Sequence, residues 1–212
     1  EAVLTTEGPL MIIAGAGSGK TRVLTYRIAH LLHHGVDAFQ IMALTFTNKA
    51  AKEMRERIEK VAGNEARSLY MGTFHSVFAR ILRSEADKLG YGRDFSIYDT
   101  DDSKSLIRTL LKELNLDDKT YRVNTVLNRI SGAKNQLISV AAYLNNSVLR
   151  AEDEAARIPE MGKLYKLYQE RCFRSNAMDF DDLLFNTNVL FRDHLDVLNK
   201  YQHVFRYVMV DE

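Results

Sequence analysis

Cysteine occurs once in the 212 residues, as Cys172, and proline twice, as Pro9 and Pro159. A single thiol excludes a disulfide framework and a cysteine-based zinc site, and it fits a reducing compartment such as the cytoplasm. With so few prolines, no low-complexity stretch and no internal repeat, no linker between separable modules is recognisable. No apolar run reaches the length needed to span a bilayer, and no signal-peptide pattern opens the chain. An excess of one charge is lacking too. The 29 Lys and Arg nearly balance 28 Asp and Glu, so a basic surface for nucleic acid has to be local. With 46% hydrophobic and 27% charged residues, the chain can bury a real core, as one large domain or two small ones.

What is present is most specific at Ala14-Gly15-Ala16-Gly17-Ser18-Gly19-Lys20-Thr21. The apolar run Leu10 to Ile13 before it reads as a buried strand, and Val23, Leu24, Ile28, Leu31 and Leu32 after it read as a helix. Strand, glycine-rich turn and helix N-terminus are the context of a phosphate-binding loop. Gly15, Gly17 and Gly19 let backbone N–H groups approach a polyphosphate, Lys20 adds a point charge, and the Thr21 hydroxyl is placed for Mg²⁺. The usual pattern begins with Gly where this chain has Ala14. Glycine-rich turns also serve packing alone, but Lys-Thr at this offset favours binding of a nucleoside triphosphate.

Further strands are expected at Ile41–Phe46 and about Leu69–Met71, with a helix from the N-cap Asn48 to Ala62 closed by Gly63, and another from His75 to Leu89 stopped by Gly90. Alternation of this kind predicts an α/β fold with a parallel sheet covered by helices. From about Tyr98 to Ala177 only helices are expected: 102–115, 123–135, 140–145 and 160–174. Helices at 180–191 and 195–201 then lead to a closing strand, Tyr207-Val208-Met209-Val210-Asp211-Glu212. The expected partition is a sheet domain of residues 1–97 and 178–212, with an inserted all-helical subdomain of 98–177. The opening Glu1 and the strand that stops in mid-motif read as an excised fragment of a longer protein.

Asp211 and Glu212 are either ordinary turn residues or, beside a phosphate loop, a Mg²⁺-directed carboxylate followed by an acid that polarises water. Asp179, Asp181 and Asp182 could suggest a metal cluster but read better as helix caps. His33-His34 has no partner at metal-ligand spacing and reads as a polar helix end. Charges alternating from Lys49 to Lys60 form a self-paired exposed face, and Cys172 reads as a packed small hydrophobe.

The loop at 14–21, Thr45-Phe46-Thr47-Asn48-Lys49-Ala50-Ala51, Gly72-Thr73-Phe74-His75-Ser76, Asp179-Phe180-Asp181-Asp182-Leu183 and Val210-Asp211-Glu212 occur in one order and spacing. In this the whole chain resembles the UvrD/Rep/PcrA-type superfamily 1 DNA helicases. The resemblance implies a first RecA-like subdomain with its helical insertion. An adenine-recognising Gln motif would lie before Glu1, and a second RecA-like lobe beyond Glu212. It implies ATP and Mg²⁺ as ligands, with Ala14 to Thr21 and Arg22 around the nucleotide, Thr21 and Asp211 on Mg²⁺, and Lys20 and Glu212 in catalysis.

The resemblance also implies single-stranded DNA along Thr45, Phe46, Thr47, Asn48, Lys49, Thr73, Phe74, His75 and Ser76, with Lys134 of Ser131-Gly132-Ala133-Lys134-Asn135 near the duplex. Phe46 reads as a base-stacking face or a core aromatic, His75 as a backbone contact or a local helix-start residue, and Lys134 as a DNA contact or a solvated lysine. The implied activity is 3′ to 5′ translocation on single strands and unwinding at single-strand/duplex junctions, in DNA replication or repair. A kinase or other nucleotidase on the same loop is the alternative. The isolated stretch is expected to bind its ligands and hydrolyse almost nothing.

Overall fold

The computed structural model describes residues 1–15 and 17–211. The chain folds as two compact units, residues 1–80 with 194–212, and residues 81–193. In chain order the first unit contains α1 (Lys20–His33), β1 (Ile41–Thr45), α2 (Asn48–Ala62), β2 (Tyr70–Thr73) and the start of α3 (Phe74–Ser84). The chain returns to it through α10 (Leu195–Val204) and β5 (Tyr207–Asp211). The strands form a parallel sheet in the order β2-β1-β5.

Every residue of the central β1 is buried, as its continuous apolar spelling requires for a parallel strand covered on both sides. Leu24, Ile28, Leu31 and Leu32 share one side of α1 at the 3.6-residue period. With Met54 and Ile58 of α2 they pack on Ile41, Ala43, Met71 and Met209. Gly63 ends α2 with a φ of 68°, as its position after Ala62 predicts.

Three local expectations are corrected here. Leu10 to Ile13 is not a strand, and Met11 and Ile13 stand 82% and 90% exposed. A strand exists only through its ladder. Residues 8–10 and 12 instead line, together with 208–211, a cleft of about 480 Å³. The N-cap of α2 is Thr47 rather than Asn48, because the Thr47 side chain accepts the N–H of Ala50 at 3.1 Å. The helix expected over 75–89 ends at Ser84, and residues 86–89 continue as a 3₁₀ turn before Gly90.

The second unit holds β3 (Ser96–Tyr98) and β4 (Ala177–Asp179), a parallel pair. Between them run α4 (Thr100–Glu113), α5 (Val123–Asn135), α6 (Val140–Asn145), α7 (Ser147–Ala155) and α8 (Met161–Arg174), and α9 (Phe180–Asp193) follows. Its core joins Ile107, Leu110 and Leu111 of α4 to Val126 and Ile130 of α5 and to Leu164, Tyr165 and Tyr168 of α8. Cys172 is fully buried in it, and burial pushes its thiol up to about 12. Within this unit β3 and β4 pair with each other, and α9 is tied to α5 through side chains. The sequence reading missed β4, which is too short to show a period, and α7, whose Arg150, Glu152, Asp153 and Glu154 leave no clean apolar stripe. Asn146, which caps α7 by accepting from the N–H groups of Val148 and Leu149, was the available signal.

Candidate functional site

Parallel pairing puts three strand ends in one row: Thr45 is in register with Thr73 on one side and Asp211 on the other. The helices α2 and α3 begin just past β1 and β2, so their N-termini open at this same carboxyl edge. Lys20, at the start of α1, lines the 480 Å³ cleft together with Asp211.

The glycine loop is organised by its own backbone. Gly17 and Gly19 take φ values of 76° and 88°, the left-handed region that a side chain resists. The Ser18 N–H and hydroxyl both donate to the Gly15 carbonyl, at 3.2 and 2.6 Å. Gly19 precedes α1 and, having no side chain, caps none of its first N–H groups. A Cβ built on Gly15 or Gly17 meets nothing within 4 Å, so the loop is open on that side. The Lys20 ammonium donates to the carbonyls of Ala14 at 2.9 Å and Gly15 at 3.4 Å. Thr21 is half-buried in the first turn, and the guanidinium of exposed Arg22 lies 5.7 Å from the ring centre of Tyr26. Two expected site residues, Ala16 and Glu212, lie outside the described residues.

Within the row Thr45 and Thr73 are buried, while just past it Phe46 stands 65% exposed with its ring centre 5.3 Å from that of Phe74. Phe46 is therefore not a core aromatic. Phe78 continues the array, 6.0 Å from Phe74. Thr47 uses its oxygen as the cap of α2, which leaves the hydroxyl hydrogen to donate elsewhere. Thr73 accepts the Ser76 N–H at 3.2 Å, and the Ser76 hydroxyl donates to the Thr73 carbonyl at 2.9 Å. Asn48, Lys49 and Ser76 are exposed and His75 is half-buried.

Lys134 is corrected. It is neither a DNA contact nor a solvated lysine: it is 1% exposed, and its ammonium lies 2.7 Å from Asp179 and 2.8 Å from Asp182. Asp179 and Asp182 also cap α9 reciprocally, each accepting the other's N–H, at 2.8 and 3.0 Å. Tyr168 donates to Asp179 at 2.9 Å. Burial alone would raise Asp179, but the charge and hydrogen bond of Lys134 hold its carboxyl below the usual range. Asp182 is pushed up to about 6 by burial, against the pull of Lys134. The reciprocal bonds bear out the cap reading for Asp179 and Asp182.

Arg27 was missed. It lies on the apolar side of α1 between Leu24, Ile28 and Leu31, is 9% exposed, and also lines the cleft. A charged residue in a core-facing position of a helix was the signal.

A parallel sheet with helices, with Thr45, Thr73 and Asp211 aligned at the carboxyl ends of its strands, defines an open α/β protein. A profile of the UvrD/REP helicase N-terminal domain matches residues 1–212. The chain belongs to the UvrD/REP helicase N-terminal domain family. It is 46% identical over 213 residues to the ATP-dependent DNA helicase PcrA of Staphylococcus aureus (strain Mu50 / ATCC 700699), covering 100% of this chain and 28% of that protein. The same identity and coverage hold for the ATP-dependent DNA helicase PcrA of Staphylococcus epidermidis (strain ATCC 12228 / FDA PCI 1200). The chain thus spans about 28% of the length of the curated relatives it matches. Among the described residues, no helix is long and apolar enough to cross a membrane.

Proposed function

We propose that this chain is the N-terminal, nucleotide-binding part of an ATP-dependent DNA helicase that moves 3′ to 5′ on single-stranded DNA and opens single-strand/duplex junctions. The observation that supports the reading is the row Thr73, Thr45, Asp211 at one sheet edge, where Asp211 is a candidate for Mg²⁺ and the two threonines are candidates for the DNA track. Around the nucleotide stand Ala14, Gly15, Ala16, Gly17, Ser18, Gly19, Lys20, Thr21 and Arg22. The open space beside Gly15 and Gly17 and the uncapped start of α1 suit a triphosphate, whose oxygens take N–H donors. Thr21 and Asp211 are the residues for Mg²⁺, a hydroxyl and a carboxylate being suitable hard ligands. Mg²⁺ supplies charge neutralisation on the transferring phosphoryl group when bound.

Within this reading Lys20 and the loop amides orient the triphosphate and stabilise the charge that develops on it. Arg22 lies toward the base, and Glu212 takes a proton from the attacking water. Phe46, with Phe74 behind it, offers a stacking face to an unpaired base. Thr45, Thr47, Asn48, Lys49, Thr73, His75 and Ser76 hold the sugar-phosphate track at two helix N-termini. Residues 98–177 are the helical insertion of a RecA-like subdomain made of 1–97 and 178–212. A second RecA-like lobe of the same polypeptide closes on the nucleotide and converts hydrolysis into steps. An arginine supplied by such a partner is worth roughly 10³ to 10⁵ in rate, so the 212 residues alone bind Mg-nucleotide and single strands weakly and turn over almost nothing.

Strand separation by the full-length protein and its Lys20→Ala variant tests the reading. Loss of unwinding in the variant supports it, and equal unwinding overturns it. DNA-stimulated ATPase from the 212 residues alone would remove the need for a second lobe.

A further inference from the structure

The N-terminal segment is held by one buried side chain. Residues 1–5 make a turn, with the N–H groups of Leu4 and Thr5 both on the Glu1 carbonyl at 2.9 and 3.0 Å. The Arg27 guanidinium, rising from α1, donates to the carbonyls of Ala2 at 2.9 Å, Thr5, and Thr6 at 3.4 Å. At the far end the Tyr207 hydroxyl of β5 donates to Glu7 at 3.1 Å. The segment therefore leaves these two tethers directly into Gly8, Pro9 and Leu10, which line the same cleft as Lys20 and Asp211. These residues have no strand ladder to fix them, so their position depends on the tethers. A buried guanidinium is suited to the task, because one planar fork can serve several carbonyls at once where a lysine presents a single point charge.

We propose that Arg27 is a positioning residue of the nucleotide cleft, setting the wall that accepts the part of a nucleoside triphosphate lying beyond its phosphates. The inference rests on the nucleotide reading above and adds a residue that acts through the N-terminal segment, its guanidinium being turned to the carbonyls of Ala2, Thr5 and Thr6. The phosphate end is built by the loop at 14–21, on its own backbone bonds. Loosening the wall must then weaken ATP and spare a ligand that is phosphate only. That split separates positioning from a general loss of structure.

The experiment measures Mg-ATP and Mg-tripolyphosphate affinity of the 212-residue chain, by competition with a fluorescent ATP analogue, for the native chain, Arg27→Ala, Arg27→Lys and Tyr207→Phe. In Arg27→Ala the ATP affinity falls about tenfold or more, as expected for losing charge-assisted hydrogen bonds, with tripolyphosphate affinity unchanged. Arg27→Lys recovers part of the loss, and Tyr207→Phe, which deletes one hydroxyl at the exposed tether, lowers ATP affinity about two- to threefold. If Arg27→Ala does not fold, Arg27→Lys and Tyr207→Phe carry the test with the same split. Equal losses for both ligands, or no loss for either, overturn the proposal. A native chain that binds neither ligand overturns the nucleotide reading itself, a result distinguishable from every outcome in which the native chain binds.

Discussion

The ammonium of Lys134 and the carboxylate of Asp182 lie 2.8 Å apart, and neither side chain has any exposed surface. With Asp179 they join α5 to the β4–α9 junction, and Tyr168 of α8 closes the group. A buried ion pair has offset its own desolvation only while complete. Removing one partner leaves the others uncompensated.

Lys134→Ala is therefore expected to destabilise the second unit by about 3–5 kcal/mol, read from chemical denaturation. Replacing the three ionic groups together, as Lys134→Met with Asp179→Asn and Asp182→Asn, is expected to cost less than the single change. If Lys134→Ala unfolds at the native midpoint and instead loses affinity for DNA, the buried-pair assignment is wrong.

The same group predicts a pH dependence. Asp182 has its folded value raised to about 6 by burial, above the unfolded 3.8, so the folded state binds the extra proton between these values. Its contribution is most favourable below about pH 4 and is lost as pH rises through about 6. Asp179, held low, contributes in the opposite sense: its stabilisation is present above its unfolded value and lost only in stronger acid. Denaturation midpoints of the native chain and Asp182→Asn, compared from pH 4 to 7, should follow different slopes. The native chain alone should show the component that falls with rising pH.

Phe46→Ala tests the exposed aromatic at the sheet edge. The ring packs only against Phe74 among the ring contacts described, so the fold should lose no more than about 1 kcal/mol. Affinity of the chain for a single-stranded oligonucleotide should fall by about 1–3 kcal/mol, the usual worth of one base–aromatic stack. Fluorescence anisotropy with a labelled oligonucleotide reads it, and unchanged affinity would leave Phe46 without a role in binding.

Gly72→Ala should destabilise through one atom. A Cβ there would sit 2.4 Å from the Ser76 hydroxyl oxygen, whereas its next neighbours, at 3.5 and 3.7 Å, are ordinary contacts. The hydroxyl would have to swing away and give up its bond to the Thr73 carbonyl, a loss of about 1 kcal/mol. The double variant with Ser76→Ala should show no added penalty from Gly72→Ala, as thermal melts would report.

Features encoded within a few residues were legible in the sequence. The glycine spacing of 15–19 demands the left-handed turns seen at Gly17 and Gly19, the span Asn48–Ala62 with Gly63 behind it is a helix in the structure, and Ile41–Thr45 has the spelling of a covered parallel strand. Motif order also identified the family that the whole-chain match shows. Tertiary structure alone decided what depends on a distant partner. Leu10 to Ile13 has the composition of a strand, yet β5, almost 200 residues on, does not pair with it. Lys134 resembles any surface lysine until Asp179, 45 positions away, closes on it. Arg27 finds its acceptors 21 to 25 positions back. Local backbone preference and periodicity are properties of neighbours, whereas the burial of a charge is set by which segments meet.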